Sequence, residues 1–259
     1  MIDAHAHLCD EAFAEDLPEV LERARASGVC AVVAVGENLK DGRRNLRLAD
    51  AYPMVLPAVG LYPTNLSLDE AAAMVSFIRE HHKRLAAVGE VGLDRWAVKE
   101  EAGREIQAEI FSKMIDAARE VDLPLNVHSR AAGRRAVAQL LGAGAKRVQL
   151  HAFDGKASAA LPAVEAGYYF SIPPSIVRSR QKQKLVKALP LSSLLLESDS
   201  PVLGPDPGMR NEPANIARAV DAVAQIKGAS LERVLKTALE NTARLYGDAV
   251  LWTQSESPI

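Results

Sequence analysis

Cysteine is scarce in this sequence: Cys9 and Cys30 are the two that occur. Two thiols cannot build a disulfide scaffold, so a reducing, cytoplasmic setting is the expectation. Long apolar runs are missing too. The longest are strand-sized, so no segment is expected to cross a bilayer as a helix. The opening MIDAHAHLCD places acids where a signal peptide carries bases and an apolar core. Neither sign of charge dominates, with 31 Lys and Arg against 33 Asp and Glu. No global basic field draws in a nucleic acid, so any affinity for phosphate has to be built locally. No repeat, low-complexity tract or linker is visible. No Gly-rich phosphate fingerprint follows the first apolar run, which weakens a dinucleotide-binding reading.

What is present is a regular alternation. The 259 residues are 48 % hydrophobic and 25 % charged, a globular balance at a size normal for one barrel. Strand-like runs rich in Val, Leu and Ala occur at about 2–8, 29–36, 54–61, 85–93, 123–129, 147–153, 168–172 and 193–199. Their weak polar alternation fits strands covered on both faces, as in a parallel sheet. Amphipathic segments separate them. Leu17, Val20, Leu21 and Ala24 recur at helical spacing, and Ile106, Ile110, Met114, Ile115 and Ala118 form a stripe within 100–121. Further helices are expected at 180–189, 213–227 and 230–246, with Gly142 and Gly167 closing two others. Eight strand–helix units predict a (β/α)8 TIM barrel, an α/β fold, as a single domain over 1–247. The tail at 248–259 is expected to fray.

The polar residues inside these apolar runs carry the chemistry. Asp3, His5 and His7 alternate along the first strand. That spacing puts them on one face, with neighbouring side chains roughly 6–7 Å apart. Two imidazoles so placed can converge on one metal ion at a barrel mouth. Glu90, His128, His151 and Asp199 fall at the ends of the fourth, fifth, sixth and eighth strands. These are carboxyl ends, where barrel enzymes of this fold keep their active sites. Buried His, Glu and Asp each need a partner, and a shared metal centre satisfies them together. His81 and His82, in a helix-to-strand connection, read as solvated surface residues. The basic run Arg178–Lys187 reads as a solvated helix face.

The motifs DAHAHL, GEVGLD, NVHSR, LHAFDG, FSIPPSI, LESDSP and RNEP occur in this order along nearly the whole chain. In them the sequence resembles the TatD-type metal-dependent hydrolases. HSRAAGR, LHAFDG, FSIPPS and RQKQKLVK resemble the vertebrate-type TatD DNase domain containing subgroup. The resemblance implies a TIM barrel with one or two divalent metals that hydrolyses phosphodiester bonds of DNA, and on the mouth's shape a 3'-5' exonuclease on single strands. It assigns His5, His7 and Asp199 to a first metal, Glu90 as the bridge, and His128 and His151 to a second. Such a pair can activate water at neutral pH and clamp a phosphate oxygen. Asp199 and Glu90 are then the catalytic carboxylates, Asp199 orienting the water and accepting its proton. Asp3 is expected to hold a histidine N–H or the barrel floor.

One departure stands out. The family usually carries Gly-x-His-Pro after the third strand, and here GLYPTN puts Tyr62 in the place of that histidine. Tyr62 can donate a hydrogen bond to a phosphate oxygen but supplies no imidazole. Arg130, just past the fifth strand, and Arg210, in MRNEP, are the other candidate substrate contacts. Asp94 and Asp154 are expected either to cap a helix or to hydrogen-bond a ligand histidine. Glu212-Pro213 reads as a helix start. Mixed imidazole and carboxylate ligands suit Zn²⁺, Mn²⁺, Fe²⁺ or Ni²⁺ better than Mg²⁺ alone, although Mg²⁺ is usual for the family. An amidohydrolase, lactonase or phosphotriesterase on the same scaffold is the alternative. Many of those bridge their metals with a modified lysine, and here the corresponding position is Glu90. Loss of catalysis with retained metal is a third reading, kept open by Tyr62. DNA or a nucleotide phosphodiester is the expected partner, acted on by a monomer with no obligate protein partner and no membrane.

Overall fold

The computed structural model describes residues 1–247, so the tail at 248–259 lies outside the described residues. Eight strands form one sheet in sequence order. They are β1 (Ile2–Ala6), β2 (Ala31–Ala34), β3 (Val55–Val59), β4 (Ala87–Gly92), β5 (Leu125–His128), β6 (Val148–Leu150), β7 (Tyr169–Ile172) and β8 (Leu194–Leu196). Every paired neighbour is parallel. The helices between them are α1 (Leu17–Ala26), α2 (Leu39–Ala51), α3 (Leu68–His81), α4 (Glu101–Glu120), α5 (Gly133–Gly142), α6 (Ala157–Glu165) and α7 (Arg180–Ala188). Two more, α8 (Ile216–Lys227) and α9 (Leu231–Tyr246), follow β8. This is the expected TIM barrel. Among the described residues no helix is long and apolar enough to cross a membrane.

The strands are shorter than their apolar runs. The run at 193–199 pairs only over Leu194–Leu196, so Asp199 stands beyond the ladder, as do His7 and His151 beyond theirs. The chain turns out of the sheet there: Asp199 and Ala152 have φ of 52° and 38°. The seam between first and last strands is closed at this level. Asp199 N–H donates to the His5 carbonyl at 2.9 Å, and His7 N–H to the Ser200 carbonyl at 2.8 Å.

The helices bury the expected stripes. Leu17, Val20, Leu21 and Ala24 of α1 pack with Val32 and Ala34 of β2, and Ile110, Met114, Ile115 and Ala118 of α4 join the main core. Asn38, Ser67, Ser179 and Ser230 cap their helices through side-chain oxygens. The segment expected as one helix over 213–227 opens with a separate 3-10 turn at Pro213–Asn215. Gly167 follows α6 at φ 81°, but Gly142 is the last residue of α5, and the left-handed position falls on Gly144. A second cluster joins Ala4, Val33, Leu56, Ala58 and Leu195 to Leu245 and Tyr246. Residues from both sides of the seam thus meet the end of α9 inside the barrel.

Candidate metal centre

Five strands deliver their polar residues to one point at the carboxyl rim. His5 Nε2 and His7 Nε2 face each other at 3.3 Å. Asp199 Oδ1 lies 3.5 Å from the first and 3.6 Å from the second. Glu90 stands between this group and the next. Its Oε2 is 3.2 Å from His7 Nε2, while its Oε1 is 2.6 Å from His128 Nδ1 and 2.8 Å from His151 Nε2. The atoms fall into three overlapping sets, His5–His7–Glu90, Glu90–His128–His151 and His5–His151–Asp199, each spanning no more than 4.8 Å. The resemblance grouped Asp199 with His5 and His7; the geometry also brings it to His151.

The donor set fits divalent cations. Imidazole nitrogens with lone pairs converging at 3.3 Å, beside buried carboxylates, oppose one another unless a proton or a cation lies between them. Glu90 Oε2, though buried, makes no hydrogen bond of good geometry. The electrostatics agree. Burial alone would push the Glu90 carboxyl up, but His151 and His128 outweigh it and hold it well below the usual carboxylate range. Burial, with His151 beside it, lowers His5 well below the usual imidazole value, leaving a neutral ring that can ligate. His7 rises to about 9: burial opposes the proton, and Glu90, Asp199 and Glu37 together hold it. His128 also rises to about 9, burial being outweighed by Glu90 and Asp94. Cationic charge is what this centre holds.

A buried hydrogen-bond chain supports it from below. His5 Nδ1 lies 2.8 Å from Asn126 Oδ1. Asn126 Nδ2 donates to the Ala4 carbonyl at 3.0 Å and contacts the Tyr246 hydroxyl at 3.2 Å. Tyr246 donates to Gln149 Oε1 at 2.5 Å, and Gln149 Nε2 donates to Ser171 Oγ at 2.8 Å. Ser171 donates to Glu197 Oε2 at 2.5 Å, and that oxygen is 3.8 Å from His151 Nδ1. The hydrogen bonds thus run from His5 as far as Glu197, and His151 Nδ1, though buried, makes none. An acceptor at Nδ1 keeps the His5 proton there and frees Nε2 for a cation. Burial pushes Glu197 and Asp199 up, and Asp199's charge adds to the rise at Glu197. Asn126, Gln149, Ser171, Tyr246 and Glu197 were not singled out from sequence. Asn126 and Gln149 carry the same signal as the histidines, a polar residue inside an apolar strand.

Glycine makes room for this packing. A Cβ on Gly89 would lie 2.6 Å from the Asn126 Cβ, and one on Gly92, at φ 139°, would run into the His128 carbonyl.

The remaining candidates divide. Tyr62 packs edge-on to His128 at 5.1 Å between ring centres. Burial and the nearby acids raise its hydroxyl, which stays protonated at neutral pH. The Arg130 guanidinium stacks over Trp96 at 3.7 Å. Arg210 is no substrate contact as placed: it pairs with both Asp16 oxygens, at 2.7 and 2.5 Å, and with the Ala12 carbonyl, tying the last loop to the one before α1. Glu212 precedes the Pro213 turn, as expected, and binds Arg23. Asp94 holds a candidate ligand histidine, its Oδ2 3.2 Å from His128 Nε2, and caps no helix: its Oδ1 accepts from the Trp96 and Ala97 N–H groups in a turn. Asp154 does neither and instead accepts from the Ala131 N–H. Asp3 accepts the backbone N–H groups of His5 and Ser198, so it ties the seam and not an imidazole ring.

His81 and His82 lie ahead of β4, at the far end of the barrel, half-buried and not fully solvated, with His81 against Phe77. The basic run is only partly a solvated face. Lys182 Nζ reaches the Ala152 carbonyl at 3.1 Å beside the centre, and burial lowers its pKa against the pull of Glu197 and Asp199.

Comparison with known proteins places this geometry. Human deoxyribonuclease TATDN3 is 43% identical to the chain, with 95% of this chain and 94% of that protein covered. An uncharacterized metal-dependent hydrolase of Bacillus subtilis, YabD, is 32% identical over 95% and 98%. The crystal structure of YJJV, a TatD homologue from Escherichia coli, superposes with a TM-score of 0.88 at 27% identity, covering 95% and 97%. The profile of one family, described as TatD related DNase, matches residues 2–247, and the chain belongs to that family.

Proposed function

We propose that the protein hydrolyses phosphodiester bonds of DNA with one or two divalent cations held by His5, His7, Glu90, His128, His151 and Asp199. The observation that carries this reading is Glu90, a buried carboxylate that meets two histidine pairs through its two oxygens. When bound, the cations supply Lewis acidity toward a phosphate oxygen and acidify water. The protein's own groups do the rest. Asp199, buried and raised in pKa, orients the attacking water and takes its proton. Asn126 holds the His5 ring, and Asp94 holds His128. The Tyr62 hydroxyl, protonated at neutral pH, donates to a phosphate oxygen in place of the usual histidine. Arg130 meets the same strand from the rim.

A barrel mouth admits a strand end more readily than a duplex groove, which supports an exonuclease on single strands working 3'-5'. The two cysteines and the lack of a long apolar stripe support a cytoplasmic monomer. The test is cleavage of a 5'-labelled single strand with Mn²⁺ or Mg²⁺. Glu90→Gln and His5→Ala should each lower the rate by at least about 100-fold, as for loss of a charge-stabilising group, with metal content falling alongside. Cleavage unaffected by both changes refutes the reading. A ladder of products shortened from the 3' end establishes polarity.

A further inference from the structure

The rim of the barrel between β4 and α4 carries an indole that lies outside the hydrophobic core clusters. Trp96 is 59 % exposed although the Arg130 guanidinium lies over its ring at 3.7 Å. A cation thus lies over the ring while more than half of the residue is open to solvent. The loop that presents it is fixed. Asp94 Oδ1 accepts the Trp96 N–H at 2.9 Å, while Asp94 Oδ2 lies 3.2 Å from His128 Nε2. One carboxylate therefore positions both a candidate metal ligand and the indole. The two rim loops are joined to each other, Arg95 N–H donating to the Arg130 carbonyl at 3.0 Å.

Guanidinium groups gather around this indole, with the Asp94 and Glu101 carboxylates among them. Arg95 is held below the usual guanidinium range first by burial and then by the fields of Arg135 and Arg104, against the pull of Glu101, and Arg130 sits on the ring itself. The chain as a whole is nearly neutral, so this is a local concentration of guanidinium groups around an exposed aromatic ring. Like charges gathered at a surface repel each other, and a polyanion relieves that repulsion. Cationic groups interleaved with an aromatic face match the alternation of phosphate and base in a single strand.

We propose that Trp96 is a stacking platform for one unpaired nucleobase next to the phosphate at the metal centre, with Arg95, Arg130 and Arg135 receiving the flanking phosphates. The inference rests on the DNA-hydrolase reading and deepens it, since it names the residue that selects an unpaired strand. A duplex presents no free base face at this point. Trp96 is a specificity-determining residue here and touches no reacting atom.

The test uses the full-length protein with Trp252→Phe, which leaves Trp96 as the single indole. Octathymidylate should change its emission on binding, and the duplex of the same length should bind more weakly. Trp96→Ala should raise KM for the octamer by about tenfold with kcat within twofold, and Trp96→Phe should recover most of it, since stacking on an aromatic side chain is worth about that factor or more per base. An abasic site moved along the octamer adds a signature that a merely structural role would not produce. At one position the wild type should fall to the level of Trp96→Ala, and the variant should lose nothing further. Cleavage of the octamer with the same KM in Trp96→Ala, or equal affinity for duplex and single strand, overturns the inference while the hydrolase reading stands. Failure of the wild type to cleave any DNA overturns the hydrolase reading instead. The emission titration then decides the platform: saturation supports it and a flat response overturns it.

Discussion

Replacing Asn126 separates ligand positioning from fold stability. Asn126→Ala removes the acceptor that faces His5 Nδ1 at 2.8 Å. The other two partners are less exposed to the loss. The Ala4 carbonyl keeps its bond from Gln149 Nε2 at 3.0 Å, and the Tyr246 hydroxyl keeps Gln149 Oε1. One buried imidazole N–H is therefore orphaned, at a cost of about 1–3 kcal/mol. The same change frees the His5 tautomer and ring. Loss of such a partner weakens metal binding by about 10- to 100-fold, or roughly 1.4–2.8 kcal/mol. Asn126→Asp has the opposite profile. It keeps an acceptor for His5 but turns the donor to the Ala4 carbonyl into a second oxygen, so stability falls while affinity holds. The assay is competition for Zn²⁺ or Mn²⁺ against a chromogenic chelator, paired with urea unfolding in EDTA. An alanine variant that binds metal within twofold of wild type refutes the positioning argument, whatever its stability.

Three further outcomes follow from the structure. Arg210→Ala should leave KM and kcat for DNA within twofold, because its guanidinium is committed to Asp16 and Ala12; a tenfold rise in KM would return it to the substrate cleft. Asp3, fully buried, has its carboxyl raised from 3.8 to about 8, chiefly by burial. A raised carboxyl contributes stability that is complete below pH 3.8 and is lost as pH climbs through about 8. Unfolding of the metal-free protein should therefore show stability falling from pH 5.5 to 8.5 in the wild type and a flatter profile in Asp3→Asn. Gly92→Ala should destabilise by about 2–4 kcal/mol and weaken metal binding, since it forces a side chain onto a positive φ and into the His128 carbonyl. A melting temperature and metal content equal to wild type would refute that account.

The sequence made the barrel readable because each strand is covered on both faces and so stays apolar throughout. The six candidate ligands stood out as polar residues against that background. Strand ends were overrun for the same reason: the apolar run and the extended backbone continue past the last paired residue, as at Asp199. Asn126 and Gln149 were visible by the rule that picked out His5, but neutral amides do not announce a metal. Tyr246 was not legible, because it reaches the centre from a helix 120 and 97 residues away from its partners Asn126 and Gln149. The pairing of Arg210 was not legible because its partner Asp16 lies 194 residues away, where no local pattern links them. Lys182 looked like one more base on a solvated helix face, and only the fold turns it toward Ala152.

The seam between the first and last strands carries a consequence for biosynthesis. The carbonyl of His5 and the amide of Asp199 join where the sheet meets itself, so the first strand awaits a partner made almost two hundred codons later. On the proposed assignment, a nascent chain has no complete cation site until that partner leaves the ribosome. A nuclease assembled in this order stays silent toward nucleic acid until Asp199 has emerged.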